Sequence, residues 1–193
     1  MLANSAPPEG KTPDPMTGPA LARPVRLWTP EGFRDDEWTH ADDADALMGE
    51  GRFILPARAV VALDPELRRS SAKRLGVHLL PGEPLDGIAG LLGDLSLVAL
   101  AFPAFNDGRS FSKAALLRNR HAFEGAVRAT GQVLIDQLPH MLRLGFDEFE
   151  VSHPVLLARL QRGKTGGIPF HYQPAAIPAL LPGKFSWRRT RLP

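Results

Sequence analysis

The 193-residue sequence contains no cysteine. This absence excludes disulfides, a thiolate nucleophile, cysteine-ligated zinc and any iron–sulfur cluster held by the chain's own cysteines. The six histidines show neither HxH nor HxxxH spacing, so the sequence predicts no metal site. No sequence motif identifies a cofactor, so the sequence does not say which cofactor, if any, the protein binds.

Long apolar runs and clustered charge are also lacking. The longest apolar run, LSLVALAFPAF at 95–105, is about half the roughly 20 residues that cross a bilayer. The formal net charge is only +2, which does not favour a nucleic-acid partner. Residues 1–24 contain six prolines and neither an apolar signal core nor a basic leader. We therefore predict a disordered N-terminal tail on a cytoplasmic protein with no membrane partner.

The common catalytic and nucleotide-binding motifs are missing as well. The sequence has no G-x-S-x-G, G-x-G-x-x-G or G-x-x-x-x-G-K-[ST] pattern. The segment GKTGG at 163–167 lacks the first glycine of a phosphate-binding loop and follows a predicted helix, so we interpret it as a linker. Whether the protein is an enzyme stays open at this level.

What the sequence does contain is a regular alternation of short apolar runs and helical segments. Its length fits one domain. Five runs predict buried strands, at Phe53–Leu55, Leu75–Leu80, Leu97–Phe102, Ala126–Thr130 and Phe146–Val151. The helical segments are Pro65–Lys73, Leu85–Leu92, Phe111–His121, Val133–Leu144 and Val155–Arg162. This order predicts a single α/β domain of repeated βα units with a mostly parallel sheet of about five strands, flavodoxin-like or partial-barrel-like.

The predicted domain spans residues 25–174. Residues 170–173 could add an edge strand. Residues 175–193 are predicted to form an extended basic tail, since the last ten residues carry four basic groups and no acid.

The turn after the third predicted strand is a candidate anion site. Asn106, Asp107 and Gly108 have the composition of a tight turn, and Ser110 could cap the following helix. Free backbone N–H groups at the helix start, with Arg109 beside them and Ser112 in the first turn, would suit an oxyanion. The alternative is purely structural, with Arg109 paired to a neighbouring carboxylate.

The next βα unit adds Arg128, Gly131 and Asp136. Arg128 falls inside a predicted strand, where a charge needs a partner, and we predict a pair with Asp136 on the following helix. Gly131 opens the turn between them, and Pro139 should kink the helix. Basic groups exceed acidic ones by six to three between residues 97 and 145, which favours an anionic ligand or partner.

Residues 98–150 resemble the bacterial family catalogued as domain of unknown function 934. The chain carries FPxFxDGRxFS at 102–112, RAxGxVLxDQL at 128–138 and GFDxFE at 145–150. A weaker likeness extends from about residue 25 to Tyr172. The chain departs from the family pattern at Asn106, Ser110, Gln132 and Pro139, and the loss of an acidic residue at 132 removes one group that a mechanism could use.

The resemblance implies a role in sulfite reduction, because family members are described as oxidoreductases of that process. Two hypotheses follow. The first is an accessory protein of assimilatory sulfate and sulfite reduction that acts with sulfite reductase or another enzyme of sulfate assimilation. The second is a small oxidoreductase or an oxyanion- or nucleotide-binding enzyme of the same pathway, with a pocket built from Asp107, Arg109, Arg128, Asp136 and Gln137. Its electrons would come from a partner, or from a flavin or nicotinamide bound without a sequence fingerprint.

Overall fold

A computed structural model describes residues 25–167, which form one curled β-sheet with helices on its outer face. The eight strands of this range are β1 (Arg26–Thr29), β2 (Gly32–Arg34), β3 (Trp38–His40), β4 (Arg52–Pro56), β5 (Leu75–Leu79), β6 (Leu97–Phe102), β7 (Ala126–Gly131) and β8 (Glu148–Val151). The six α-helices are α1 (Ala57–Ala62), α2 (Pro65–Ser70), α3 (Asp86–Ala89), α4 (Arg109–Asn119), α5 (Leu138–Leu144) and α6 (Pro154–Gln161).

The strands lie in the order β2-β1-β8-β7-β6-β5-β4-β3. From β3 to β8 neighbouring strands are parallel and follow the order of the chain, whereas β1 is antiparallel to both β8 and β2. Right-handed crossovers between successive parallel strands place the connecting helices on the same face. A flavodoxin-like sheet reverses its strand order near the middle, so that alternative is wrong and the partial-barrel alternative agrees with the topology.

The sheet curls until its two edges approach each other. Strands β2 and β3 lie at opposite edges, yet only residues 35–37 connect them. An extended chain of that length spans at most about 14 Å between Arg34 and Trp38, whereas the edges of a flat sheet of this size would lie about 34 Å apart. His40 on β3 also contacts Glu150 on β8, with 2.8 Å between Nε2 and Oε1. The sheet therefore encloses an interior, open along a seam between β2 and β3.

The two faces of the sheet have different contents. The convex face carries the main hydrophobic core, in which side chains such as Val77, Leu100 and Phe149 pack with the helices. The concave face holds a small apolar cluster at the start of the strands, formed by Ile54, Leu97 and Ala99 with Trp38 and Ala126 beside them.

Gly76 on β5 makes room for this inner cluster. A Cβ atom at Gly76 would lie 3.2 Å from side-chain atoms of Trp38, Ile54 and Leu97. The apolar side chains consequently fill the interior at the amino ends of the strands, while its opposite end holds polar side chains.

The single α/β domain and its mostly parallel sheet are confirmed, and all five predicted strands are present with small shifts of their ends. The prediction missed β1, β2 and β3, which are three or four residues long and carry polar groups, and the short helix α1. Pro139 does not kink a helix: α5 begins at Leu138, so Pro139 lies in the first turn, where proline removes no internal hydrogen bond. The predicted tails, and the edge strand at 170–173, lie outside the described residues.

The loop between α4 and β7 contains a strained residue that supplies a stability test. Ala122 has a φ of +47°, and it is the only non-glycine residue with positive φ between residues 25 and 167. A left-handed conformation costs an L-residue about 1–2 kcal/mol, while glycine costs about 0.5–1 kcal/mol of extra chain entropy. Ala122→Gly should therefore raise the free energy of unfolding by about 0.5 kcal/mol in a urea denaturation.

Ala115→Gly is the matched control, because Ala115 lies within α4. The same substitution there should lower stability by about 1 kcal/mol. Equal losses at both positions would contradict the assignment of strain to Ala122.

Candidate functional site

Arg128 lies at the centre of β7, is fully buried and points into the interior of the curled sheet. Its Nε donates to Glu148 at 2.8 Å, and its Nη1 donates to Asp36 at 2.8 Å and to Glu150 at 3.2 Å. Its Nη2 donates to Asp36 at 2.9 Å and lies 2.8 Å from Glu148. A guanidinium has five N–H donors; four of them make these hydrogen bonds, and the fifth, on Nη2, lies near the Glu148 carboxylate.

The predicted partner of Arg128 is wrong. Asp136 is exposed in the turn before α5 and makes no ion pair with Arg128. The reason is the alternation of side chains along a strand: Arg128 faces the concave side, whereas α5 packs against the convex side. A strand residue and the helix that follows it can form a pair only when the residue faces that helix.

The ion-pair network of Arg128 fastens the seam of the sheet. Glu148 and Glu150 lie on the neighbouring strand β8, and Asp36 lies in the segment that crosses from β2 to β3. Burial lowers the pKa of Arg128, but its hydrogen bonds to Asp36 and the negative charges of Glu148 and Asp36 raise it more, so the net shift is upward. One permanent cation therefore holds three carboxylates across the point where the sheet closes.

Four polar side chains meet at the carboxyl ends of the strands, above the apolar inner cluster. We call His40, His78, Thr130 and Glu150 the mouth residues; they lie on β3, β5, β7 and β8. The rings of His40 and His78 are 5.5 Å apart between centroids, in an edge-to-face arrangement. His78 Nε2 lies 3.3 Å from the hydroxyl of Thr130. Ligand sites of parallel βα barrels are built at this end of the strands.

The mouth residues can transfer protons. The carboxylate of Glu150 accepts a hydrogen bond from His40 Nε2–H at 2.8 Å, which leaves Nδ1 of the neutral ring with a free lone pair. The side chain of His40 is 44 % exposed, so a ligand can reach it. Burial, with help from the neighbouring His40, lowers the pKa of His78 against the opposing charges of Glu150 and Glu83. His78 is therefore neutral at physiological pH.

The turn predicted to bind an anion is occupied by the chain's own carboxylate. Asp107 accepts from the backbone N–H of Arg109 at 3.3 Å and from its side chain at 3.0 and 2.7 Å. The hydrogen bond from Arg109 lowers the pKa of Asp107. This is the structural alternative expected for Arg109, and it fills the position that an oxyanion would take.

The other residues of the predicted turn have separate roles. Ser110 does not cap α4, because the helix begins at Arg109 after Gly108. Its buried hydroxyl donates to the carbonyl of Ala101 at 2.7 Å and so fastens the helix to β6. Asn106 and Ser112 are exposed.

Gln137 and Gly131 shape the neighbouring loop. Gln137 Nε2 donates to the carbonyl of Phe105 at 2.7 Å, which ties the loop after β7 to the loop after β6. Gly131 has a φ of +89°, and a Cβ there would lie 2.5 Å from the carbonyl oxygen of Phe102. The predicted pocket is thus divided: its loop residues lie at the rim, while Arg128 points into the interior.

A buried lysine connects the same rim to the strand before it. Lys113 on α4 is 7 % exposed and donates to the carbonyl of Leu80, just after β5. Burial lowers the pKa of Lys113, with Glu83 opposing the shift. The contact holds the amino-terminal half of α4 against the loop after β5.

Sequence reasoning did not select any of the four mouth residues, although a signal was available for His78. In LGVHLL at 75–80 a single polar side chain interrupts an apolar strand, and an alternating pattern would place it on the face opposite Val77 and Leu79. Within residues 25–167, no group of three or more histidine, aspartate and glutamate side chains could hold a metal ion. No helix of the same range is long and apolar enough to cross a membrane.

The fold and the site define a class: a curled, mostly parallel βα sheet with polar residues at the carboxyl ends of its strands. A family model described as "Bacterial protein of unknown function (DUF934)" matches residues 76–179, more than half of the chain. The chain therefore belongs to this family, and the family resemblance is confirmed. No curated protein matches the sequence. The family match includes Arg128 and three mouth residues, whereas His40 and Asp36 precede it.

The Arg128 network yields a prediction for stability. Arg128→Met should lower the free energy of unfolding by about 3–5 kcal/mol, since it leaves partly buried carboxylates without their cation. Asp136→Leu is the control, and it should change stability by no more than about 0.5 kcal/mol because Asp136 is an exposed turn residue. Chemical denaturation should measure the free energy of unfolding of both variants. If Arg128 were instead paired with Asp136, both variants would be unstable.

The Asp107–Arg109 pair yields a prediction for anion binding. In Asp107→Asn the carboxylate no longer competes, so sulfate or sulfite should raise the melting temperature more than in the unsubstituted protein, by mass action. Arg109→Ala should remove the shift in both backgrounds. Equal shifts with and without the Asp107 carboxylate would show that anions do not bind at this turn.

Proposed function

We propose that the protein is a small enzyme of sulfite reduction that binds a small molecule at the mouth residues and transfers protons there. The observation that carries the proposal is the pair of His40 and Glu150 beside His78 and Thr130, at the carboxyl ends of four strands. A positioned imidazole is the most common general acid or base in enzymes, because its ordinary pKa lies near neutrality.

Each mouth residue has a defined part in this proposal. Glu150 fixes the ring orientation of His40 and stabilises the imidazolium that forms when Nδ1 takes a proton. Arg128 holds Glu150 in place from the opposite side, at 3.2 Å. The neutral His78 and the Thr130 hydroxyl exchange one hydrogen bond, so they can donate to or accept from a ligand.

The pathway part of the proposal is supported by the family resemblance alone. Reduction of sulfite consumes protons as well as electrons, and the mouth residues supply groups for proton transfer. The chain has no cysteine, so electrons would come from a partner, such as sulfite reductase, or from a bound cofactor.

The second candidate function is a non-catalytic accessory protein that acts with sulfite reductase or another enzyme of sulfate assimilation. Two large apolar side chains at the rim favour it: Leu80 is 50 % exposed and Phe105 is 59 % exposed. They lie on the loops after β5 and β6, at the same end of the sheet as the mouth residues, where a partner could bury them.

A growth experiment tests the proposed function. Cells from which the gene has been deleted should fail to grow when sulfate or sulfite is the only sulfur source. They should grow normally when sulfide or cysteine is supplied. His40→Gln should fail to restore growth, because it removes the general base, while His121→Gln, on the loop before β7, should restore it.

The accessory role predicts a different pattern. In that case His40→Gln restores growth, whereas Leu80→Ser with Phe105→Ser does not. Normal growth on sulfate of cells that lack the gene would contradict both proposed functions.

A further inference from the structure

The described residues end at Gly167, beside the loop that follows β7. A Cβ atom at Gly167 would lie 2.8 Å from the Cβ of Pro139, and one at Gly166 would lie 3.7 Å from the carbonyl oxygen of Ile135. Pro139 lies in the first turn of α5, directly after that loop. Residue 168 therefore starts at the carboxyl ends of the strands, the same end of the sheet as the mouth residues.

Two neighbouring loops at this end of the sheet expose apolar side chains. Leu80 and Pro84 lie on the loop after β5, and Pro103 and Phe105 lie on the loop after β6. We call these four residues the apolar rim. Leu80 and Phe105, the two largest, are at least half exposed. Large apolar side chains grouped in this way mark a surface that another segment or molecule covers.

The apolar rim lies close to Gly167. The side chain of Gln137 donates to the carbonyl of Phe105 at 2.7 Å, so the loop after β7 contacts the loop after β6. Only β6 separates β7 from β5, and two strand spacings amount to about 10 Å. An extended chain of twelve residues spans up to about 40 Å. Residues 168–179 are therefore long enough to reach both loops of the apolar rim.

Residues 168–179 have a composition that suits apolar surface. Their sequence, IPFHYQPAAIPA, contains no aspartate, glutamate, lysine or arginine, and it includes Ile168, Phe170, Tyr172 and Ile177. The family match continues through these residues and ends at position 179. The segment thus belongs to the same matched region as the strands from β5 to β8.

We propose that residues 168–179 of the same chain cover the apolar rim, with their aromatic and aliphatic side chains against Leu80 and Phe105. Because the segment is attached at Gly167, its effective concentration at the rim is high, on the order of millimolar for a short linker. A separate molecule would bind without this advantage. The proposal does not depend on the catalytic role of the mouth residues, and it assigns to this chain the two side chains that the accessory role offers to another protein.

The test detects the proximity of Tyr172 to the apolar rim by paramagnetic broadening of NMR signals in the full-length protein. Tyr172 is the only tyrosine, and the chain has no cysteine. Isotope-labelled tyrosine therefore gives the ring signals of one residue, and a nitroxide attaches only to an introduced cysteine. Asn106→Cys places the nitroxide next to Phe105, whereas Glu124→Cys places it on an exposed loop at the other end of the strands.

The nitroxide at position 106 should broaden the Tyr172 signals, and chemical reduction of the nitroxide should restore them. The nitroxide at position 124 should leave the signals sharp. Absence of broadening from position 106, or equal broadening from both positions, would overturn the proposal.

A mixing experiment distinguishes the same chain from a second copy. Protein that carries the nitroxide at position 106 but no isotope is mixed with isotope-labelled protein that carries no nitroxide. The Tyr172 signals should keep their full intensity in this mixture. Broadening there would show that the segment covers the rim of another molecule, and the proposal would be wrong.

Substitutions at the rim test which side chains the segment covers. In the Asn106→Cys protein, Leu80→Ser with Phe105→Ser should restore most of the Tyr172 intensity, because the apolar contact surface is removed. Met48→Ser with Val61→Ser is the matched control, since these apolar side chains are also exposed but precede β5 in the chain. The control should leave the broadening unchanged. Equal broadening in the two double variants would contradict the assignment to Leu80 and Phe105.

Discussion

The buried guanidinium of Arg128 is the interaction on which the closed form of the sheet depends. Its partners come from the adjacent strand and from residues 35–37, which link β2 to β3 across the seam, so one side chain ties together parts of the chain that are more than 90 residues apart. Taking such a group out of water is costly. The cost is offset here because four hydrogen bonds and a further close contact join the guanidinium to carboxylates. Packing alone would not hold the seam, since β2 and β3 contribute only three residues each.

This arrangement explains why the interior is divided into two zones. Near the start of the strands, Gly76 has no side chain, and Trp38 and its neighbours fill the space that one would occupy. Towards the carboxyl ends of the strands, the positions that face the interior are occupied by charged and hydrogen-bonding residues. A polar zone inside a sheet is stable only when its groups are paired, and the carboxylates around Arg128 meet that requirement. Among the described residues, the hydrogen-bonding atoms of this zone that have no protein partner include His40 Nδ1 and Glu150 Oε2, at the carboxyl ends of the strands.

The sequence allowed the middle of the fold to be predicted better than its edges. Strands such as LVALAF at 97–102 are buried on both faces, so their apolar runs are unmistakable. The strands β1 to β3 are short and half polar, and their pairing with β8 or β4 depends on contacts distant in sequence. No local pattern encodes such pairing.

The candidate site shows the same limit. Arg128 stood out in the sequence, but its partners could not be chosen without knowing which face of the strand it occupies. The alternation in EFEV at 148–151 does point Glu148 and Glu150 to one side. Asp36, in contrast, becomes a partner only because the sheet curls, and curvature is a property of the whole domain.

The antiparallel pairing of β1 with β8 has a consequence for how the domain acquires its activity. Arg26 and Val151 are register partners, so this contact joins the first strand of the described residues to the last. Contacts between segments so far apart in sequence carry a large loop-closure entropy and tend to form late in folding. His40 and Glu150 are likewise brought together only when the early strands meet β8. In a partly folded chain with every central strand in place, the four mouth residues would still be apart. The site is therefore assembled only when folding is complete.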